Sequence, residues 1–125
     1  MQQFYKNKKI LITGSSGFVG SWLAVTLQQM GANIYGISLE PNTSPSIFKL
    51  LNLEAKIKQK YIDICDYNKL SLAINEISPD IVFHLAAQPL VRESYIKTID
   101  TFQTNVIGTL NVLESCKALE ANINL

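Results

Sequence analysis

Three glycines stand at regular intervals near the start of the chain, in the segment ILITGSSGFVGSWL (residues 10–23). Gly14, Gly17 and Gly20 follow a run of strand-forming residues and open an apolar segment with helical spacing. A glycine accepts the positive φ of a tight turn, and without a Cβ it leaves room for a phosphate at a helix start. The pattern, with Ser16, Phe18 and Val19 between its glycines, predicts a pyrophosphate site; the alternative is a tight turn without a ligand.

Two polar residues after the next apolar run could contact the ribose of such a ligand. Ser38 ends the segment 33–38, where dinucleotide-binding proteins usually carry an acidic residue for the adenosine ribose. Glu40 follows at about the expected offset of 20 residues from the last glycine. It either reaches the ribose or is a solvated loop charge. No arginine lies nearby to hold a 2′-phosphate, so the sequence favours NAD over NADP as the cofactor.

Several other residues are of types that could bind a metal or a substrate, and most of them have a simple structural interpretation. Cys65 and Cys116 lack metal-site spacing and are expected to be reduced core thiols. His84, the single histidine, has no second ligand at metal-binding spacing and is expected to be a structural residue at a strand end. Arg92 and Tyr95 follow that strand and either meet a substrate or cap a short helix. No metal site is predicted.

Composition excludes several classes of partner. The formal net charge is +1, so bulk electrostatics gives no reason to expect nucleic acid or an anionic membrane. No apolar segment approaches the length of a membrane span, and the polar, basic residues 1–9 do not resemble a secretion signal. The sequence therefore predicts a cytoplasmic protein with a small-molecule ligand.

The elements that must position these residues alternate between strand and helix. Strands are predicted at residues 10–13, 33–38, 58–64 and 80–86. Helices are predicted at residues 16–30, from the cap Asp66 to about 77, and at 100–119, with a short helical turn near 46–51. The apolar stripes expected to face the sheet are Val19, Trp22, Leu23, Leu27 and Met30, and Phe102, Val106, Leu110, Leu113 and Cys116. This order predicts an α/β fold with a Rossmann-type doubly wound parallel sheet.

The chain as a whole reads as one domain, residues 1–125, that binds NAD. Residues 122–125 look like the opening of a further strand. A half-sheet of this size would be marginally stable alone, so the expectation is the N-terminal, cofactor-binding part of a longer protein.

Four motifs together resemble the extended short-chain dehydrogenase/reductase family, whose members act on nucleotide sugars. They are T-G-x-x-G-F-x-G from Thr13, Asp63-Ile64, His84-Leu85-Ala86-Ala87, and T-N-V-x-G-T around Asn105. The resemblance implies that Asp63 and Ile64 contact adenine and that residues 85–87 lie under the cofactor. The alternative, from the residues alone, is that Asp63 is only a turn residue at a strand end. Asn105 bonds either its own helix or, as the resemblance implies, a loop near the nicotinamide.

Further segments narrow the resemblance to the 4,6-dehydratases of that family whose substrate is CDP-glucose. These are GSWL (20–23), LEPNTSPSIFKLLNL (39–53), DICD (63–66) and VFHLAAQPLVRESY (82–95); Val19 departs from the lysine common in that group. Such enzymes are NAD-dependent lyases of deoxysugar biosynthesis, and a homodimer is implied for the whole protein. Two alternatives stay open: another nucleotide-sugar epimerase or dehydratase, and a non-catalytic dinucleotide-sensing module.

The family's catalytic tyrosine and lysine, spaced Y-x-x-x-K, and its active-site Ser or Thr are expected after a fifth strand. The chain is therefore predicted to hold the cofactor half of the site and no catalytic residue. By itself it is expected to have no dehydratase activity.

Overall fold

The computed structural model describes residues 1–119. Its strands are β1 (Lys9–Thr13), β2 (Asn33–Ser38), β3 (Lys58–Tyr61) and β4 (Ile81–His84). Its helices are α1 (Gln2–Tyr5), α2 (Phe18–Gln29), α3 (Ile47–Leu50), α4 (Tyr67–Ile77), α5 (Val91–Ile96), α6 (Thr98–Phe102) and α7 (Thr109–Lys117), with a 3₁₀ turn at Leu53–Ala55 and a π turn at Gln103–Gly108. The further strand expected at residues 122–125 lies outside the described residues.

The four strands form one parallel sheet in the order β3-β2-β1-β4. Thr13 pairs with His84 on one side and Ile37 on the other, so the carboxyl ends of the strands meet at one edge of the sheet. Helices cover both faces, which confirms the predicted Rossmann-type doubly wound fold. Ligands of such sheets bind outside the carboxyl ends of the strands.

Alternate residues of β1 build the two halves of the core. Ile10 and Ile12 pack on the face that α2 and α3 cover, where Phe48 is the largest buried side chain. Leu11 points to the opposite face, which α4 and α7 cover, and joins a second cluster that includes Val112. Because side chains alternate along a strand, one continuous apolar run supplies both layers.

Helix α2 packs through small residues, and its predicted apolar stripe is only partly correct. Leu27 is buried as expected, but Val19 is 64% exposed and Trp22 is 46% exposed. The buried face instead carries Gly20, Ser21, Ala24 and Leu27. A Cβ on Gly20 would lie 2.2 Å from the Gly14 carbonyl oxygen, so the helix start approaches the glycine turn too closely for larger side chains.

The last helical segment runs without a break from Thr98 to Lys117, slightly earlier than predicted, and contains the π turn. Its predicted stripe is wrong over most of its length: Phe102, Val106, Leu110 and Leu113 are all exposed, and only Cys116 is buried. A π turn accommodates more residues than an α turn and shifts the phase of the helix surface. The buried positions of α7, which follows the π turn, are Val112, Ser115 and Cys116.

The predicted ends of two strands differ from the observed ends by a few residues. β3 stops at Tyr61 and β4 at His84, each before the predicted end of its strand. The predicted cap of α4 is confirmed, since the Asp66 carboxylate accepts a hydrogen bond from the Lys69 N–H at 3.1 Å. Across residues 1–119, none of the helices has both the length and the apolar character needed to cross a bilayer.

Candidate functional site

A cavity of about 720 Å³ opens at the carboxyl edge of the sheet. The glycine turn, the residues that follow β2, β3 and β4, and part of the π turn form its walls. It is lined by all but one of the residues predicted to bind the cofactor, namely Gly14, Ser16, Gly17, Phe18, Val19, Gly20, Ser38, Glu40, Asp63, Ile64, Leu85, Ala86 and Ala87. The tertiary structure thus brings together segments that are far apart in the sequence.

The glycine turn forms the floor of this cavity near the start of α2. Gly14 has φ +74°, and a Cβ there would lie 2.7 Å from the Ala86 amide nitrogen, so no other residue fits without a shift of backbone. No side chain caps α2 at Gly17. The N–H groups of a first helical turn lack intrahelical acceptors, and the helix dipole favours an anion beside them. The geometry suits a phosphate group.

The wall after β2 contains the two residues predicted to reach a ribose. Ser38 is buried at the strand end and Glu40 is exposed, and both line the cavity. The Ser16 hydroxyl donates to the Leu39 carbonyl oxygen at 2.8 Å and ties the glycine turn to this wall. Apart from Glu40, the segment after Ser38 contributed no predicted site residue, yet it supplies seven lining residues: Leu39, Pro41, Asn42, Thr43, Pro45, Ser46 and Ile47.

Asp63 makes a turn contact and also lies at the cavity, where the resemblance implied a contact with adenine. One carboxylate oxygen accepts a hydrogen bond from the Cys65 N–H at 2.9 Å, which is a turn contact, and the residue also lines the cavity. Burial, and next the Asp63 carboxylate, raise the pKa of the Cys65 thiol. Burial raises the pKa of the Cys116 thiol as well. Both cysteines are free, and a raised pKa keeps them protonated at neutral pH.

His84 is hydrogen-bonded at both ring nitrogens. Its Nδ1 lies 2.6 Å from the Thr13 hydroxyl and its Nε2 lies 2.9 Å from the Thr109 hydroxyl. The Thr109 hydroxyl hydrogen is donated to the Asn105 carbonyl oxygen, so Nε2 must carry the proton in this pair. Nδ1 then accepts from Thr13. Burial lowers the pKa of His84 and favours this neutral form, as expected for a structural histidine.

Asn105 is the one residue predicted to bind the cofactor that does not line the cavity. Its side-chain oxygen accepts from the Gln88 N–H at 2.8 Å, and its side-chain nitrogen donates to the Gln88 carbonyl oxygen at 3.1 Å. These contacts hold the loop after β4, which contributes Leu85, Ala86 and Ala87 to the cavity. Of the two roles considered, Asn105 therefore adopts that of a loop anchor.

Arg92 and Tyr95 lie on α5, and neither lines the cavity. Tyr95 is 83% exposed.

The sequence contains the spacing Y-x-x-x-K once, at Tyr5 and Lys9. Lys9 starts β1 at the opposite edge of the sheet, and its ammonium donates to the Ile77 carbonyl oxygen at 3.2 Å. That pair is remote from the cavity, so the expected catalytic pair is not formed by it.

Sequence reasoning missed two residues behind the cavity wall, Ser15 and Gln59. The Ser15 hydroxyl donates to Gln59 Oε1 at 2.8 Å, and Gln59 Nε2 donates to the Ser38 hydroxyl at 2.9 Å. Nothing in the polar segment around Gln59 marks it as part of a site. Only its position beside Gly36 in the sheet does so.

Comparison with known proteins gives a family match and close relatives. The family model described as GDP-mannose 4,6 dehydratase matches residues 11–124. The chain is 45% identical over 116 residues to a CDP-glucose 4,6-dehydratase of Salmonella typhimurium, and the match covers 93% of the chain and 32% of that relative. It is 36% identical over 112 residues to a dTDP-glucose 4,6-dehydratase of Haemophilus influenzae, covering 86% of the chain and 32% of the relative.

A solved structure shows the same arrangement of elements. The UDP-glucose 4-epimerase of Thermus thermophilus, in complex with NAD, matches with a TM-score of 0.76 at 28% identity. The match covers 87% of this chain and 33% of that protein. The chain thus spans about a third of the length of the proteins it resembles.

Proposed function

Because this chain belongs to the GDP-mannose 4,6 dehydratase family of nucleotide-sugar dehydratases and epimerases, we propose that its cavity binds NAD and that residues 1–125 form the NAD-binding domain. The observation that carries the proposal is the cavity itself. An uncapped helix start, a glycine turn closed to any Cβ and the ends of β2 and β4 converge on one space of about 720 Å³. The NAD complex of the structurally similar epimerase supports the same choice of cofactor.

Each part of the ligand has a matching wall. The pyrophosphate would lie against Gly17 and the first turn of α2, where N–H groups and the helix dipole favour it. The adenosine ribose would meet Ser38 and Glu40, and the adenine would meet Asp63 and Ile64. The nicotinamide would then extend toward residues 85–87, at the end of β4.

Charge favours NAD over its 2′-phosphorylated form. Glu40 lines the ribose end of the cavity, and a carboxylate there repels a 2′-phosphate. The single arginine, Arg92, lies on α5 and does not line the cavity. We therefore expect NADP to bind more weakly than NAD.

The reaction we propose for the protein that contains this domain is the 4,6-dehydration of a nucleotide sugar, with CDP-glucose as the substrate. Bound NAD would supply a reversible hydride acceptor for C4 of the hexose. The 45% identity to the Salmonella dehydratase supports this substrate. The groups that move protons on the sugar have no counterpart at the cavity among residues 1–119, and this domain's own part is to bind and orient the cofactor.

A second candidate is another epimerase or dehydratase of the same family. The 36% identity to the dTDP-glucose enzyme and the likeness to the UDP-glucose 4-epimerase favour it. A non-catalytic dinucleotide sensor would share the cavity and differ in showing no turnover in any form of the protein. Comparing CDP-, dTDP- and UDP-glucose as substrates of the protein that carries this domain separates these candidates.

The binding proposal is tested with Gly14→Ala. We expect NAD affinity, measured by calorimetry, to fall by about tenfold or more, because the new Cβ strains the left-handed backbone and forces the turn away from Ala86. Gly31→Ala is the matched control. Gly31 has a similar φ of +84°, but its Cβ would meet only the Lys6 side chain and backbone at ordinary distances, outside the cavity.

Gly31→Ala should lower stability by about 1–2 kcal/mol through the same backbone strain and leave NAD affinity unchanged. A wild-type chain that binds no NAD would contradict the proposal. So would a folded Gly14→Ala variant with wild-type affinity.

A further inference from the structure

A polar bridge lies behind the cavity, between the glycine turn and the end of β2. Ser15 is fully buried and Ser38 is 4% exposed. Gln59 of β3 reaches both by crossing β2 at Gly36, its partner in the sheet. A Cβ on Gly36 would lie 2.1 Å from Gln59 Oε1 and 2.6 Å from the Ser15 hydroxyl oxygen. The missing side chain at Gly36 therefore makes the crossing possible.

The orientation of the Gln59 amide is fixed by its neighbours. Gln59 Nε2 lies 3.2 Å from the Lys60 carbonyl oxygen, which only accepts, so the nitrogen and not the oxygen must face it. The second hydrogen of Nε2 goes to the Ser38 hydroxyl oxygen at 2.9 Å. The Gln59 oxygen then accepts the Ser15 hydroxyl hydrogen at 2.8 Å.

With this orientation of the Gln59 amide, one hydroxyl hydrogen has no acceptor within the bridge. Ser15 and both amide hydrogens of Gln59 are used within the bridge. Ser38 accepts, so its own hydroxyl hydrogen is free, and among residues 1–119 no acceptor is found for it. Ser38 lines the cavity at the wall where the adenosine ribose is proposed to lie. The bridge therefore presents a hydrogen-bond donor to the ligand.

We propose that Gln59 is a positioning residue that turns the Ser38 hydroxyl outward as a donor to the 2′-oxygen of the adenosine ribose. The inference rests on the proposed NAD site. It adds Gln59 to that site and states the direction of the hydrogen bond between Ser38 and the ribose. An acidic residue at the end of the second strand accepts a hydrogen bond from the ribose hydroxyl. Here the direction at Ser38 is reversed, because Gln59 occupies the accepting side of the serine.

The test compares binding of ADP and 2′-deoxy-ADP by calorimetry, since the two ligands differ only in the 2′-oxygen. Wild type should prefer ADP by about fivefold, the worth of one hydrogen bond. In Gln59→Glu at pH 8, both oxygens accept, so the Ser38 hydroxyl turns inward and the preference falls toward one. Acidification protonates the new carboxyl, restores donation to Ser38 and restores the preference.

Two further variants serve as controls for Gln59→Glu. Gln28→Glu makes the same charge change on a residue that donates to the Lys56 carbonyl oxygen at 2.8 Å, away from the cavity, and should keep the wild-type preference at every pH. Ser38→Ala should reduce the preference by as much as Gln59→Glu does at pH 8, and adding Gln59→Glu to it should change nothing more. Equal weakening of both ligands in Gln59→Glu, with the preference intact, would show a merely structural role and overturn the inference.

A measurement on wild type avoids any question of folding. The Gln59 side-chain amide signals in the NMR spectrum should shift when ADP is added and shift less with 2′-deoxy-ADP. Equal shifts, or equal affinity of wild type for both ligands, would refute the role of Gln59 while leaving the NAD site standing. Failure of wild type to bind ADP or NAD at all would instead remove the proposed function, and the inference with it.

Discussion

At the scale of single residues, the hydrogen-bond partners of His84 determine its protonation state. It joins Thr13 at the end of β1 to Thr109 at the start of α7, and Thr13 also accepts from the N–H groups of Leu85 and Ala86 at 3.2 and 3.3 Å. A second ring proton would have to point at a hydroxyl oxygen that already accepts two hydrogen bonds. The neutral form is the one that fits.

Acid should therefore weaken the fold through His84. Its pKa is lowered in the folded state by burial, whereas the unfolded value is about 6.5. The contribution of neutral His84 to the free energy of unfolding is thus fully present above the unfolded pKa and is lost as the pH falls through the folded pKa.

Denaturant titrations of wild type and His84→Gln between pH 8 and pH 5 test this. Glutamine can donate to Thr109 and accept from Thr13 without titrating, so the stability of wild type relative to the variant should decline below about pH 6.5. Since His84 is the only histidine, the comparison isolates it. A stability difference that does not change with pH would contradict the assignment.

At the scale of elements, the way α2 meets the sheet determines the shape of the site. The helix start approaches the glycine turn closely at the proposed phosphate site, and Gly20, Ser21 and Ala24 provide that approach. Trp22 and Val19 remain outside because the contact has no room for them. The buried face of α2 thus consists mainly of small residues, and Leu27 is its one large apolar side chain.

Enlarging the buried face should be costly. Ala24 is fully buried, and Ala24→Leu is expected to destabilise the chain by about 1–3 kcal/mol through overpacking. Gln29→Leu adds an apolar residue of similar helix propensity at an exposed position of α2 and should change stability by less than about 0.5 kcal/mol. Thermal or denaturant unfolding measures both, and equal effects of the two variants would show that α2 does not pack as described.

At the scale of the whole molecule, residues 1–119 form the cavity proposed for a dinucleotide, and within them no tyrosine and lysine of the family's spacing lie beside it. Its one Y-x-x-x-K, at Tyr5 and Lys9, is at the wrong edge of the sheet. Binding of the cofactor and turnover of the sugar are therefore separable properties, and we propose that the described residues provide the first.

We expect the 125-residue chain alone to bind NAD and to leave CDP-glucose unchanged. Hydride and proton transfers need positioned groups within hydrogen-bond reach of the sugar, and the cavity offers no such tyrosine and lysine among residues 1–119. Calorimetry measures the binding, and mass spectrometry detects loss of one water from the sugar nucleotide. Dehydration of CDP-glucose by this chain would refute the prediction.

The sequence alone determined the glycine turn, the alternation of strands and helices, the cap at Asp66 and the wall positions after β2, β3 and β4. These features are local: a left-handed turn demands glycine at Gly14, a buried strand demands a continuous apolar run, and a capping carboxylate acts within one helical turn. Parallel pairing of the strands then brings their carboxyl ends to one edge, so the positions of the site residues followed from the order of elements.

The features that depend on strand register and close packing could be seen only in the folded structure. Ser15 and Gln59 are 44 residues apart and meet because β3 places Gln59 beside Gly36. In α7, which follows the π turn, Val112 is buried and Leu110 is exposed, which the predicted apolar stripe does not anticipate. Asn105 anchors Gln88 for the same reason. The two residues are distant in the sequence, and the path of the loop after β4 brings them within hydrogen-bond distance.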